Sequence, residues 1–249
     1  MTKKTYKKRG QKYKKTYKKY KNNKKSAQKG GQNIKAFVLN LDKRTDRWKT
    51  IQQNFKDITL ERVSAINNTV GWKGCGLSHV KVVKAAKEKG LPFVLIMEDD
   101  CVPSEFFKNN IDIFQKWLEQ NMDKWDVATT GNSYYGFHGN EENSITPICA
   151  LSNLKLYTTK ILSLQCYFIN SSAYDSFISW GKNLDSSPNA WNPIDFWPNK
   201  QHMKTISCTP FLTRQLNDFS NIENTVRNYD TQYNTSEKLI ATIPNLTPC

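Results

Sequence analysis

The sequence predicts a single α/β domain, with a mixed, mainly parallel sheet flanked by helices, preceded by a basic tail. Three observations carry this reading. Strand-like and helix-like segments alternate along residues 35–122, with connections long enough for parallel crossovers. The run Pro92-Phe93-Val94-Leu95-Ile96-Met97 is continuously apolar, the mark of a strand hidden on both faces. Residues 1–30 hold 14 of the 37 Lys and Arg and no acid, which leaves 23 basic against 22 acidic residues in the rest. The formal charge of +15 therefore describes the tail and not the body.

The tail, residues 1–32, repeats Lys-Lys-Thr-Tyr-Lys-Lys and has almost no aliphatic side chains. It lacks the apolar surface to offset ordering entropy and is expected to be disordered. Interleaved Tyr and Lys suit an anionic partner, either nucleic acid or lipid headgroups. A solubilising arm without a specific ligand is the plain alternative. The globular domain is expected over residues 33–249.

In chain order, Ala36-Phe37-Val38-Leu39-Asn40-Leu41 reads as the first strand. A helix over 42–55 follows, with Trp48, Ile51 and Phe55 at helical spacing. A second strand is expected over 58–66. The Gly-rich turn at 71–76 then leads into a helix over 77–89, whose Val80, Val83 and Ala86 share a face and which Gly90 ends. The apolar run is read as the central strand of a parallel sheet. Ser104 is a suitable cap for a helix over 104–122. Residues 131–153 are polar and rich in Gly and Asn, as expected of a substrate loop. The later segments predict a strand over 164–169, a helix over 171–182 and a strand over 203–207.

The apolar run ends in Glu98-Asp99-Asp100. Open α/β sheets bind ligands at the carboxyl ends of their strands. Unit charges about 5 Å apart repel by roughly 3 kcal/mol at an effective dielectric near 20, so such a cluster calls for a counter-charge. A divalent cation carrying a diphosphate supplies one. An acidic turn after a core strand is the simpler reading. No apolar run approaches the ~20 residues of a membrane span, and no apolar stretch follows the N-terminal charges, so a cytoplasmic location is expected, with membrane contact only peripheral. The six cysteines form no Cys-x-x-Cys pair; they read as reduced thiols and argue against a structural zinc.

Four blocks together resemble glycosyltransferase family 25, the group of lipopolysaccharide and procollagen galactosyltransferases. They are Asn40-Leu41-x-x-Arg44-x-x-Arg47, Gly74-Cys75-Gly76-Leu77-Ser78-His79, Glu98-Asp99-Asp100, and a distal set of Pro193-Ile194-Asp195, Pro210 to Gln215 and Ser220-Asn221-Ile222. The resemblance implies a GT-A type, Rossmann-like fold and metal-dependent, inverting transfer of a hexose, galactose first and glucose next, from a UDP-sugar. The acceptor would be a hydroxyl of a glycan, glycolipid or protein. Manganese or magnesium is the implied cofactor, held by Asp100, with Glu98 or Asp99 reaching the ribose or the ion, and by either His202 or Asp195.

The residues accord with these roles on their own chemistry. Asn40 and Asp42 emerge at the end of the first strand, where nucleoside contacts belong. Arg44 and Arg47 can present forks to phosphate, or form an ordinary solvated helix end. Gly76, Ser78 and His79 are read at a helix start suited to an anion; for Ser78 a simple cap and for His79 a packed imidazole are the alternatives. Gln215 belongs to the implied donor site. Asp195, among Trp191, Phe196 and Trp197, is the candidate general base; capping of the following helix is the alternative.

Overall fold

The computed structural model describes residues 34–132, 145–186, 191–217, 219–220, 225–241 and 246–249. The basic tail and the centre of the expected substrate loop, 133–144, lie outside the described residues. The chain runs β1 (Lys35–Asn40), α1 (Thr45–Asn54), β2 (Thr59–Ser64), α2 (Gly71–Glu88), β3 (Phe93–Glu98), β4 (Cys101–Pro103), α3 (Phe107–Gln120), β5 (Val127–Thr129), β6 (Thr146–Leu151), β7 (Leu154–Thr158), β8 (Cys166–Asn170) and α4 (Tyr174–Ser186). A 3-10 turn (Ile194–Phe196) and the short α5 (Trp197–Lys200) follow, then β9 (Thr205–Thr209), β10 (Thr213–Gln215), β11 (Phe219–Ser220), β12 (Thr225–Val226) and α6 (Asp230–Ala241).

Eight strands form one sheet in the order β2-β1-β3-β8-β5-β9-β7-β6. The first three are mutually parallel, β8 runs against both β3 and β5, β9 is parallel to β5, and β7 opposes both β9 and β6. Six of the eight strands thus point one way. The apolar run is central as expected, but its second neighbour is the reversed β8, so it is not flanked by parallel strands on both sides.

Both faces of the sheet are covered, which is why β1 and β3 are continuously apolar over Ala36–Leu39 and Phe93–Met97. Ala36, Val38, Leu95 and Met97 meet Ile51 of α1 and Phe107, Ile111 and Phe114 of α3 on one face. Phe37, Leu39, Val94 and Ile96 meet Val80 and Val83 of α2 and Phe177 and Trp180 of α4 on the other. Each fully buried aliphatic or Phe side chain contributes about 1.5–3 kcal/mol, so the two layers fix the strand ends that carry the acids.

Three expectations need correction. Helix α2 starts at Gly71, not after the glycines. Gly74 and Gly76 are helical positions of close approach: an added Cβ would lie 2.6 Å from the Ile66 carbonyl oxygen and 2.8 Å from the Trp180 ring respectively. The segment after 144 is not loop, for β6 and β7 form a hairpin turned by Ser152, whose φ is 55°. Cys149 and Cys249 form a disulfide, because the C-terminal residues pair with the edge strand β6 through Ala150; Cys75, Cys101, Cys166 and Cys208 are free. No helix of the described residues is long and apolar enough to cross a membrane.

Candidate active site

The parallel register of β1 and β3 brings Asn40 beside the acids that follow β3. Asn40 is buried; its side-chain amide donates to Asp99 at 2.6 Å and to the Arg44 carbonyl at 3.0 Å, and its oxygen accepts from Arg62 Nε at 2.8 Å. Arg47, on the first turn of α1, donates to Asp99 at 3.0 Å and lies 3.5 Å from Asp100. Both Asp99 oxygens are therefore engaged from below, which makes this residue a strut between strand ends.

Asp100 is held differently. Strand β10 pairs with β4 so that Gln215 faces Cys101, and the Gln215 amide donates to Asp100 Oδ2 at 3.2 Å. The other oxygen, Oδ1, is buried without a hydrogen-bond partner. Glu98 receives two contacts on one oxygen, from Cys75 Sγ at 3.5 Å and His79 Nε2 at 3.2 Å. Burial, and after it mutual repulsion among the acids, pushes Glu98 and Asp100 well above the usual carboxylate range. Burial also drives His79 down to about 4, so it is neutral at pH 7; its Nδ1 lies 3.0 Å from the Tyr167 hydroxyl.

Asp195 is the middle residue of the 3-10 turn before α5. Its Oδ1 accepts from the Leu164 backbone N–H at 3.1 Å, and no side chain caps α5, so the carboxylate ties the turn to the segment before β8 and does not cap a helix. Burial, then the Glu98 charge, raises Asp195 to about 7. Glu98, Asp99, Asp100, Asp195 and Gln215 all line one cleft of about 940 Å³.

The remaining predicted residues divide. Ser78 and His79 line the cleft, but in the interior of α2 and not at a helix start. Ser78 Oγ donates to the Gly74 carbonyl at 2.6 Å and accepts from Ile66 N–H at 2.7 Å, so it anchors the β2–α2 connection. Gly76 turns toward Trp180 and Leu184 of α4, where it permits helix packing and meets no ligand space. Asn40 is not a lining residue; it acts through Asp99. Arg44 forks onto Asp46 at 2.8–3.1 Å and holds that carboxyl down to about 2. Asp42 is exposed and accepts from Ser64 Oγ at 2.8 Å. His202 is an exposed residue with φ of 50° in the turn after α5, outside the cleft, so of the two distal metal-ligand options only Asp195 reaches it.

Sequence reasoning missed several lining residues. Cys75 lies four residues before the expected His79 in α2, a spacing that puts both on one helix face, and that signal was available. Lys43, Arg227 and Tyr229 reach the cleft from segments with no chemical pattern of their own. Trp191, expected beside Asp195, is 65% exposed and stands at the cleft edge with its ring 4.9 Å from Phe196.

A model of glycosyltransferase family 25, a lipopolysaccharide biosynthesis family, matches residues 68–196, just over half of the chain. The chain belongs to glycosyltransferase family 25. The matched segment contains Cys75, His79, the acid cluster and Asp195, while Lys43, Arg47, Gln215 and Arg227 complete the cleft from outside it. No curated protein matches the chain. Among solved structures, a glycosyltransferase involved in glycosylation of the major capsid of PBCV-1 aligns with 8% identity over 83% of this chain and 100% of its own, at a TM-score of 0.47. Apo UDP-glucose pyrophosphorylase aligns with 10% identity over 83% and 81%, at 0.35. A nucleoside-diphosphate-sugar pyrophosphorylase from Vibrio cholerae RC9 aligns with 11% identity over 71% and 72%, at 0.34.

Proposed function

We propose that this family 25 glycosyltransferase moves a hexose, galactose in the first instance, from a UDP-sugar to a hydroxyl of a glycan, glycolipid or protein, with inversion at the anomeric carbon. The observation that supports it best is the convergence of three half-buried carboxylates, Glu98, Asp100 and Asp195, on one cleft at the strand ends.

The donor set fits a hard divalent ion. Asp100 Oδ1 is an orphaned buried oxygen, and the charge on Glu98 and Asp100 is only partly matched by Arg47. Asp100 and Glu98 would hold manganese or magnesium, with Asp195 the remaining carboxylate in reach of the same space. Bound there, the ion supplies Lewis-acid neutralisation of a leaving diphosphate. Asn40, Arg47 and Gln215 hold the acids in place through the bonds described above. Lys43 and Arg227 line the same cleft and bring positive charge for phosphate oxygens.

Inversion requires a base on the acceptor side. Asp195, poised near neutrality by burial, accepts the proton of the acceptor hydroxyl as that oxygen attacks the anomeric carbon. Trp191 offers its ring to the acceptor beside it. In Asp195→Asn, UDP affinity is expected to persist while turnover falls about 10²–10⁴-fold, the usual worth of a general base. Turnover within threefold or so of wild type would remove Asp195 from this role.

A further inference from the structure

Cys75, His79 and Glu98 present a thiol, an imidazole and a carboxylate whose donor atoms lie within 4.8 Å of one another. Two of the three spacings, both hydrogen bonds to Glu98, are also lengths at which a shared cation would hold the same atoms, and the third, sulfur to nitrogen, lies within 4.8 Å. Tetrahedral zinc with bonds of about 2.3 Å to sulfur and about 2.0 Å to nitrogen and oxygen separates sulfur from oxygen by ~3.5 Å and nitrogen from oxygen by ~3.3 Å. The corresponding distances here are 3.5 Å from Cys75 Sγ to Glu98 Oε1 and 3.2 Å from His79 Nε2 to the same oxygen.

The surroundings match as well. Metal-bound histidines usually engage the second ring nitrogen with a fixed partner, and His79 Nδ1 sits 3.0 Å from the Tyr167 hydroxyl inside the core. Both Cys75 and His79 come from one turn-and-a-bit of α2, and Glu98 ends β3, so rigid elements hold all three. All three also line the cleft, which leaves one side of the cluster open to it.

We propose that Cys75, His79 and Glu98 form a cation site for zinc or another thiophilic divalent ion, with a fourth coordination position facing the cleft. A thiolate, an imidazole and a carboxylate select zinc or cobalt over magnesium or calcium. On binding, the Cys75 S–H bond breaks, its proton passes to solvent, and the sulfur lone pair forms the metal–sulfur bond. Glu98 belongs both to this set and to the acids proposed above for manganese. Occupancy by zinc therefore withdraws a ligand from the harder ion, and the two ions compete through one carboxylate.

Cobalt(II) titration of the full chain with its disulfide intact tests this directly. The wild type is expected to develop a thiolate-to-cobalt charge-transfer band in the near ultraviolet with tetrahedral d–d bands in the visible, both bleached by zinc. Cys75→Ser should lose the charge-transfer band, and Tyr167→Phe should weaken cobalt binding by about 10–100-fold, the usual cost of removing an outer hydrogen-bond partner. Asp100→Asn and Asp195→Asn should keep the band, so its presence is separable from failure of the transferase reading. Absence of the band in folded wild type, or its survival in Cys75→Ser, overturns the site. Thermal unfolding of each variant without metal verifies that the comparison is between folded proteins.

Discussion

The side-chain amide of Asn40, at the tip of β1, donates to Asp99 at 2.6 Å and so joins the ends of two neighbouring parallel strands. Asn40 also accepts from Arg62 on β2, so a single amide registers three strand ends beneath the acid cluster. Replacing it by Ala leaves the half-buried Asp99 carboxylate short of a partner, while the exposed Arg62 turns to water. Asn40→Ala is expected to lower stability by about 1.5–3 kcal/mol, the range for hydrogen bonds to charged groups, and to weaken UDP binding in the presence of manganese. Urea unfolding and calorimetry check the two effects, and an unchanged unfolding midpoint would refute the strut.

Gly76 provides a second test, because sequence reading assigned it to the ligand and the structure to packing. A methyl at this position meets Trp180 at 2.8 Å and Leu184 at 3.0 Å. Gly76→Ala is expected to destabilise by about 1–3 kcal/mol through overpacking while the folded fraction binds nucleotide normally. A loss of affinity at full stability would return Gly76 to the ligand.

The pH dependence of stability follows from Asp195. Its carboxyl rises from 3.8 in the unfolded chain to about 7 in the fold, so between these values the folded state holds a proton that the unfolded state has released. Stability therefore falls as pH rises from about 4 to about 7, and the full penalty persists above. Glu98 and Asp100 act in the same direction. His79, lowered from 6.5 to about 4, opposes them over an overlapping interval, since stability lost below pH 4 returns as pH rises to 6.5. In metal-free buffer the stability advantage of Asp195→Asn over wild type should grow across about pH 4–7 and then level off. A constant difference in thermal midpoint would contradict the raised carboxyl.

Trp191 is largely exposed, so its removal should leave the fold intact. Trp191→Ala is expected to raise the acceptor KM several-fold with donor KM unchanged. Equal effects on both substrates, measured by initial rates, would place the ring outside the acceptor path.

The parts of this molecule legible from sequence were those where one physical demand dominates. Val94, Leu95, Ile96 and Met97 had to be apolar because both faces of β3 are buried, and the acids had to follow at the strand end. Gly74 and Gly76 misled because glycine marks both turns and close helix contacts, and only the partners Ile66 and Trp180 distinguish the two. His202 looked like a ligand by its residue type; its position depends on the long-range packing of the turn after α5. The Cys149–Cys249 bond closes a separation of 100 residues and has no local signal. Roles among Glu98, Asp99 and Asp100 were likewise invisible until Asn40, Arg47 and Gln215 supplied three different sets of partners.

The central claim is that Asp100 and its neighbours cradle a nucleotide diphosphate through a divalent ion. Calorimetric titration of UDP in the presence of manganese, wild type against Asp100→Ala, addresses it most directly. Binding that depends on manganese in the wild type and disappears in the variant is the predicted result. Equal affinity in the two proteins, or wild-type binding indifferent to manganese, would contradict the account.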